Sequence, residues 1–186
     1  KDSSVVLYTL YLWLKERGVA RRVYVLFNDT GSELKLLEDW VEEYVKFIRE
    51  KLREVGSELV FRRTLPDVGS LFVWRTVVRG YPAPTFNFRW CVSTLKIGPA
   101  KASLKEFDRA VLFTGLREDE SSARAVALKR RSACTADMSC LSSFYVKTDM
   151  PGVVRVAPIR HWTLEDVWRH VKKWATEEPV FRKLLQ

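Results

Sequence analysis

The first four residues, Lys1-Asp2-Ser3-Ser4, bring together the groups that bind an anion. They open an apolar segment predicted to be a helix, and the first turn of a helix leaves its amides without intrahelical acceptors. Those amides, the positive end of the helix dipole and the two hydroxyls can converge on one phosphate or sulfate group. An ordinary Asp or Ser N-cap uses the same residue types and remains the alternative.

A second set of polar residues follows a β-branched and aromatic run, which predicts a strand over 22–27. This run ends in Asn28-Asp29-Thr30-Gly31, and an amphipathic helix is predicted over 32–55. Ligands of α/β proteins bind beyond the carboxyl ends of strands, so Asp29, Thr30 and Gly31 are candidate ligand-binding residues. Asp2 and Asp29 would supply oxygen ligands to Mg²⁺ if the ligand is ATP. A plain carboxylate at a helix N-terminus is the alternative for Asp29.

Three cationic residues, Lys96, Arg117 and Arg124, are candidates for contact with phosphate or sulfate oxygens. The two arginines follow an apolar run over 110–114 that ends at Gly115 and predicts a buried strand. A solvated helix face is the alternative for both arginines. Glu120 is expected to orient Arg117 or Arg124 rather than to transfer protons.

The elements that must position these residues alternate between strand and helix. Strands are predicted over 22–27, 58–63, 110–114, 144–146 and 153–157, and helices over 3–16, 32–55, 71–78, 91–96, 163–174 and 178–185. This order predicts one domain over 1–186 with an α/β fold, a three-layer doubly wound architecture and a mostly parallel sheet of about five strands. Since a phosphate-binding helix normally follows a strand in such folds, we expect a first strand upstream of residue 1.

The composition limits the possible classes of function but does not select one of them. The 186 residues are 47% hydrophobic, carry a net charge of +9 and include no apolar run long enough to span a membrane, so we expect a cytoplasmic protein. The charge favours anionic partners, either nucleotides or nucleic acid, and Lys129-Arg130-Arg131 suits nucleic acid, although such a cluster is usually solvated surface. Three cysteines argue against a secreted disulfide framework.

Five segments resemble, in the same order, motifs of the phosphoadenosine phosphosulfate (PAPS) reductase family of the adenine nucleotide alpha-hydrolase superfamily. Lys1-Asp2-Ser3-Ser4 is similar to the end of its pyrophosphate loop, and Asn28-Asp29-Thr30-Gly31 to its Asp-Thr-Gly segment. The remaining segments are Arg89-Trp90-Cys91 with Lys96 and Pro99, Thr114-Gly115-Leu116-Arg117 with Glu120, Ser121 and Arg124, and Ala157-Pro158-Ile159 with Trp162, Asp166, Val167 and Trp168.

This resemblance implies an adenine nucleotide alpha-hydrolase-like fold and a catalytic domain that binds PAPS, adenylyl sulfate or ATP, with a thiol reductant or a sulfur donor as second partner. It implies these nucleotide-binding residues: Lys1, Asp2, Ser3, Ser4, Asp29, Thr30, Gly31, Arg89, Lys96, Gly115, Arg117, Glu120, Ser121 and Arg124. Cys91 is the candidate catalytic residue, and a small buried apolar side chain is its alternative role.

The cysteines depart from the pattern of the cluster-containing reductases of this family. Cys91 is followed by Val92, and Cys134 and Cys140 have five residues between them where those reductases have two. Since three cysteines do not complete a four-cysteine set, an iron–sulfur cluster is not expected within this span. Two other functions therefore remain open. One is an adenylating ATP pyrophosphatase that transfers sulfur to nucleic acid, similar to the DNA phosphorothioation proteins, and the other is a non-catalytic nucleotide-binding module.

Overall fold

The structure is a computed structural model that describes residues 1–85, 87–131, 144–146 and 148–185. Cys134 and Cys140 lie outside the described residues. The chain divides into two compact units, which we call the continuous unit (Gly18–Glu106) and the two-segment unit (Lys1–Arg17 with Phe107–Gln186).

Both units combine helices with strands. The helices are α1 (Asp2–Arg17), α2 (Lys35–Glu54), α3 (Gly98–Leu104), α4 (Ser122–Arg131), α5 (Leu164–Glu177) and α6 (Pro179–Arg182). The strands are β1 (Arg22–Asn28), β2 (Glu58–Thr64), β3 (Ala110–Phe113), β4 (Tyr145–Val146) and β5 (Val153–Val156). No helix in the described part of the chain is both long and apolar enough to cross a membrane.

In the continuous unit, β1 and β2 pair in parallel, from Arg22 opposite Glu58 to Asn28 opposite Thr64. The connecting helix α2 buries one apolar face, formed by Tyr44, Val45, Ile48 and Leu52. Because the two strands are parallel, their carboxyl ends lie at the same edge of the sheet. The residues that follow Asn28 and Thr64 are therefore neighbours.

Two predicted helix boundaries in this unit differ from the structure. Helix α2 begins at Lys35 rather than at 32, because Leu34 is extended (ψ 137°) and the Thr30 hydroxyl donates to the Glu33 carboxylate within the preceding loop. The predicted end of the 91–96 helix before Gly98 is wrong, since a π-helical segment over Val92–Ile97 continues directly into α3. Pro99 lies in the first turn of α3, where a missing N–H costs little.

In the two-segment unit, β5 pairs in parallel with β3 and antiparallel with β4. Helix α1 buries Val5, Tyr8, Tyr11 and Leu14, and Tyr8 packs edge-on against the rings of Trp174 and Phe181. The spacing of Trp13 from the other apolar residues would suggest a buried position like that of Leu14, yet Trp13 is 48% exposed. The reason is that α1 is apolar on nearly every side, so spacing alone does not identify the face that packs.

The expected α/β class with parallel strand pairing is confirmed. The five strands of the described residues pair within a two-stranded and a three-stranded sheet, and the β4–β5 pair is antiparallel. Thr163 caps α5, because its hydroxyl accepts from the Asp166 N–H at 3.1 Å while the Asp166 carboxylate accepts from the Thr163 N–H at 2.9 Å.

Candidate nucleotide-binding site

The first turn of α1 lies directly against Gly115, the second residue after β3. A Cβ atom on residue 115 would lie 2.9 Å from the carbonyl carbon of Asp2 and 3.0 Å from the amide nitrogen of Ser3. Contacts this short with backbone atoms would force a shift, so only glycine allows the loop after β3 to approach the helix start so closely. Ser3 is exposed and Ser4 is buried. The structure thus brings Asp2, Ser3 and Gly115 together.

The Arg117 side chain is 4% exposed and is held by two carboxylates of the protein. Its Nε donates to Asp2 Oδ1 at 3.0 Å and its Nη1 to Asp119 Oδ2 at 3.2 Å. Asp119 Oδ2 also accepts from the N–H of Leu164, the first residue of α5, at 2.8 Å. Arg117 therefore joins the start of α1 to the start of α5, and its low exposure leaves little of the guanidinium open to an added oxyanion.

Glu120, Ser121 and Arg124 form a small network beside Arg117. Glu120 Oε1 accepts from the Arg117 N–H at 3.3 Å, and its other oxygen forms an ion pair with Arg124. The Ser121 hydroxyl accepts from the Arg124 N–H at 3.2 Å. The Arg124 side chain is 42% exposed, so it is accessible to a ligand in a way that Arg117 is not.

An ion pair between Glu118 and Arg160, not predicted from the sequence, lies next to this network along the chain. Arg160 is 4% exposed, and its Nε and Nη2 lie 2.7 and 2.6 Å from Glu118 Oε1. Burial alone would raise the pKa of Glu118, but the hydrogen bonds and charge of Arg160, with the charges of His161 and Lys129, outweigh it and lower that pKa. The only sequence signal was the run Glu118-Asp119-Glu120 after Arg117, which did not identify Arg160 as a partner.

In the continuous unit, Asp29 lies at the carboxyl edge of the β1–β2 sheet and is 6% exposed. Its Oδ1 accepts from the Gly31 N–H at 2.8 Å, a turn that Gly31 closes with φ +73°. Its Oδ2 lies 3.5 Å from Nε of Arg63, whose Nη2 lies 3.5 Å from Glu38 Oε1. The structure thus adds Arg63 to the predicted residues, and the sequence signal for it was its position at the end of the second predicted strand.

Thr64 completes the contacts at this edge of the sheet. Its carbonyl accepts from the Asp29 N–H at 3.0 Å, and its hydroxyl donates to Asn28 Oδ1 at 2.8 Å. The loop from Asn28 to Gly31 is therefore fixed by β2 as well as by its own turn.

The segment that carries Arg89, Cys91 and Lys96 is anchored by Trp90. The Trp90 ring is buried, stacks on Phe72 at a centroid distance of 5.5 Å and donates its Nε1–H to the Pro82 carbonyl at 3.2 Å. Arg89 and Lys96 are exposed and Cys91 is half-buried. Within the described residues, no hydrogen bond or ion pair joins Arg89 or Lys96 to Asp29.

The two candidate Mg²⁺ ligands, Asp2 and Asp29, lie in different units, and no group of three or more His, Cys, Asp or Glu residues in the described part of the chain could hold a metal ion. Both oxygens of Asp2 are engaged, Oδ1 by Arg117 and Oδ2 by Lys1 Nζ at 3.0 Å. Mg²⁺ is usually held by one or two carboxylates together with substrate phosphates. The residues therefore fit Mg²⁺ only when the phosphates of a nucleotide complete its coordination. Of the two aspartates, Asp29 is the more available, because its Oδ2 lies 3.5 Å from Arg63 Nε whereas both Asp2 contacts are 3.0 Å long.

One protein-family model matches nearly the whole chain. A family model described as the phosphoadenosine phosphosulfate reductase domain matches residues 1–179. Two similar curated proteins come from Methanocaldococcus jannaschii. The uncharacterized protein MJ0066 is 30% identical over 188 residues, which cover 100% of this chain and 32% of that protein. The uncharacterized protein MJ0973 is 28% identical over 168 residues, which cover 90% of this chain and 33% of that protein.

The chain thus spans about a third of the length of these curated relatives. Among solved structures, it is similar to a crystal structure of PAPS reductase from Candida auris in a phosphate complex. The TM-score is 0.50 and the sequence identity 15%, with coverage of 92% of this chain and 70% of that chain. At this identity, the likeness shows a shared fold.

Proposed function

Because the chain belongs to the phosphoadenosine phosphosulfate reductase family, we propose that it is the adenine-nucleotide-binding catalytic domain of an enzyme of sulfur metabolism, similar to PAPS or adenylyl-sulfate reductase. The observation that carries this proposal is the approach of Gly115 to Asp2 and Ser3 at the start of α1. The first turn of a helix has N–H groups without intrahelical acceptors, which suit a phosphate or sulfate, and a glycine beside them adds no side chain of its own that would block the anion.

The reductase reaction requires a thiol as its nucleophile. A thiolate attacks the sulfur of the sulfonucleotide, the bond from sulfur to the phosphate oxygen breaks, and the adenine nucleotide leaves. A second thiol, from the reductant, then attacks the sulfur of the enzyme cysteine, forms a disulfide and releases sulfite. Cys91 is the candidate for the attacking thiol among the described residues, since it is half-buried beside the anchored Trp90 and forms no disulfide.

A second candidate function is ATP cleavage between the α and β phosphates, followed by sulfur transfer to nucleic acid. Asp29 favours this candidate, because a carboxylate at the carboxyl edge of a parallel sheet is a suitable ligand for Mg²⁺ bound to phosphates. The two reactions differ in their products. Sulfite release without pyrophosphate supports the reductase, and Mg²⁺-dependent pyrophosphate release supports ATP chemistry. Tight nucleotide binding without either product supports a non-catalytic module.

The structural test of the proposal is Gly115→Ala in the full-length protein. The added Cβ must displace the first turn of α1, so we expect the affinity for PAPS, adenylyl sulfate or ATP with Mg²⁺, measured by calorimetry, to fall by at least about tenfold, or 1.4 kcal/mol. The matched control is Gly69→Ala, whose Cβ would come no closer than 4.0 Å to another heavy atom. Wild-type affinity in Gly115→Ala would contradict a nucleotide site at the start of α1.

A further inference from the structure

The amino end of the β1–β2 sheet carries an open groove of about 410 Å³, lined by Arg49, Arg53, Gly56, Ser57, Glu58 and Leu59. Asn28 and Thr64 lie at the other end of the same two strands. Seven residues of extended strand separate the two edges by about 20 Å. The groove is therefore distinct from the residues around Asp29.

Two guanidinium groups define the charge of this groove. Arg49 and Arg53 lie one turn apart near the end of α2, and neither side chain has a hydrogen bond or an ion pair within the described residues. Like charges at this spacing destabilise a helix. Arg53 lies in the last turn, where it complements the helix dipole, but Arg49 lies a full turn earlier. Helix stability therefore does not account for the pair.

The remaining polar groups of the groove also suit an anion. Ser57 is 3% exposed, and its hydroxyl accepts from the Arg21 N–H at 3.0 Å, which leaves the hydroxyl proton for a further acceptor. The one acid in the lining, Glu58, accepts from Arg22 Nε at 2.7 Å, so its charge is offset. The groove thus offers three donors and carries a net positive charge.

We propose that this groove binds a backbone phosphate of a nucleic acid strand. A strand fits better than a small anion because the exposed cations continue beyond the groove, with Arg21 just before β1 and Lys46 one turn earlier on α2. A row of spaced cations matches the spaced charges of a phosphodiester chain, and such contacts position a strand without reading its sequence. The net charge of +9 supports association with a polyanion.

The test is fluorescence anisotropy of a labelled single-stranded oligonucleotide, about 20 nucleotides long, titrated with the full-length protein at several salt concentrations. We expect Arg49→Ala with Arg53→Ala to weaken binding about tenfold and to reduce the slope of log affinity against log salt by about 0.7, the value for one lost phosphate contact on a single strand. The matched control is Lys105→Ala with Lys172→Ala, which removes two exposed positive charges elsewhere. Equal losses in both double variants, or no binding by the wild type, would overturn the proposal.

Two further measurements distinguish a strand-binding groove from a small-anion site and from the nucleotide site. Inorganic phosphate at constant ionic strength should not displace the oligonucleotide, and full displacement at millimolar phosphate would show a small-anion site instead. The Arg49→Ala with Arg53→Ala variant should bind adenine nucleotide with wild-type affinity in calorimetry. Loss of nucleotide binding in this variant would contradict the claim that the groove and the nucleotide site are separate. If instead the proposed nucleotide site is wrong, the wild type should bind no adenine nucleotide but should still bind the oligonucleotide.

Discussion

Arg117 and Arg63 show two ways in which an arginine can lie beside candidate site carboxylates. Arg117 is 4% exposed and donates to two carboxylates at 3.0 and 3.2 Å, whereas Arg63 is 35% exposed and lies 3.5 Å from each of its two carboxylates. The first guanidinium is itself almost fully buried and is held by two short ion pairs. The second has looser contacts with solvent beside it, so it can exchange a carboxylate for a ligand oxygen at lower cost.

This difference assigns different roles to two residues of the same type. Arg117 joins the start of α1 to the start of α5 through Asp2 and Asp119. Arg63 lies at the carboxyl edge of the β1–β2 sheet, where ligands of α/β proteins bind. We therefore expect loss of Arg117 to act first on stability and loss of Arg63 to act first on affinity.

The largest effect is expected for Arg117→Ala. The substitution removes the cation shared by Asp2 and Asp119, which are themselves 23% and 46% exposed, so we expect a loss of about 3 kcal/mol of unfolding free energy from these charge-assisted hydrogen bonds. Urea denaturation measures the loss. Arg63→Ala is the matched comparison, with an expected loss below about 1 kcal/mol because its contacts are long and partly solvated. Similar losses in the two variants would show that the short contacts of Arg117 and the long contacts of Arg63 contribute equally to stability, against the difference in roles.

Glu118→Gln tests a second ion pair with a buried arginine, in which Arg160 is the partner. We expect a loss of about 2 kcal/mol at neutral pH, since a hydrogen bond to a charged group is removed. The pKa of Glu118 is lowered in the folded protein, so the pair stabilises fully above the unfolded pKa, near about 4.3, and its contribution disappears as pH falls through the folded pKa.

The difference in unfolding free energy between the wild type and Glu118→Gln should therefore be constant from about pH 6 to 8 and shrink below about pH 4. Denaturation curves at each pH measure it. Glu58→Gln is the control, because the Arg22–Glu58 pair is more than half exposed on both sides. A difference that grows on acidification would contradict a lowered pKa of Glu118 in the folded protein.

The sequence predicted features that depend on local patterns. The apolar spacing of α2, the β-branched runs of β1 and β2, and the start of α5 next to Thr163 are all encoded within a few neighbouring residues. The parallel order of β1 and β2 then places Asp29 at a sheet edge without further information. These parts of the fold and of the candidate site follow from short stretches of sequence.

The partners of the arginines could not be predicted in this way. Arg117 pairs with Asp2 across 115 positions, and Arg160 pairs with Glu118 across 42. With 32 basic and 23 acidic residues in the chain, many such pairs are equally compatible with the sequence. Arg117 was predicted to contact a phosphate because its residue type suits that role, and only the structure shows that two carboxylates already occupy it.

The smallest effect on stability, and the sharpest test of the comparison, is expected for Arg63→Ala. The guanidinium contacts Asp29 and Glu38 only at 3.5 Å, so the folded state should lose less than about 1 kcal/mol. If Arg63 turns toward a nucleotide phosphate, the affinity should nevertheless fall about tenfold, or 1.4 kcal/mol, and Arg63→Lys should restore part of it.

Calorimetry with PAPS, adenylyl sulfate and ATP with Mg²⁺ measures the affinity of the Arg63 variants. Arg62→Ala is the matched control, because alternate residues of a strand point to opposite faces and Arg62 forms an ion pair with Glu106. An equal loss of affinity in Arg62→Ala would mean that the loss in Arg63→Ala comes from the lower net charge and not from a contact with the nucleotide. Unchanged affinity in Arg63→Ala would mean that its loose contacts with Asp29 and Glu38 are not exchanged for a ligand, and that Arg63 is as structural as Arg117.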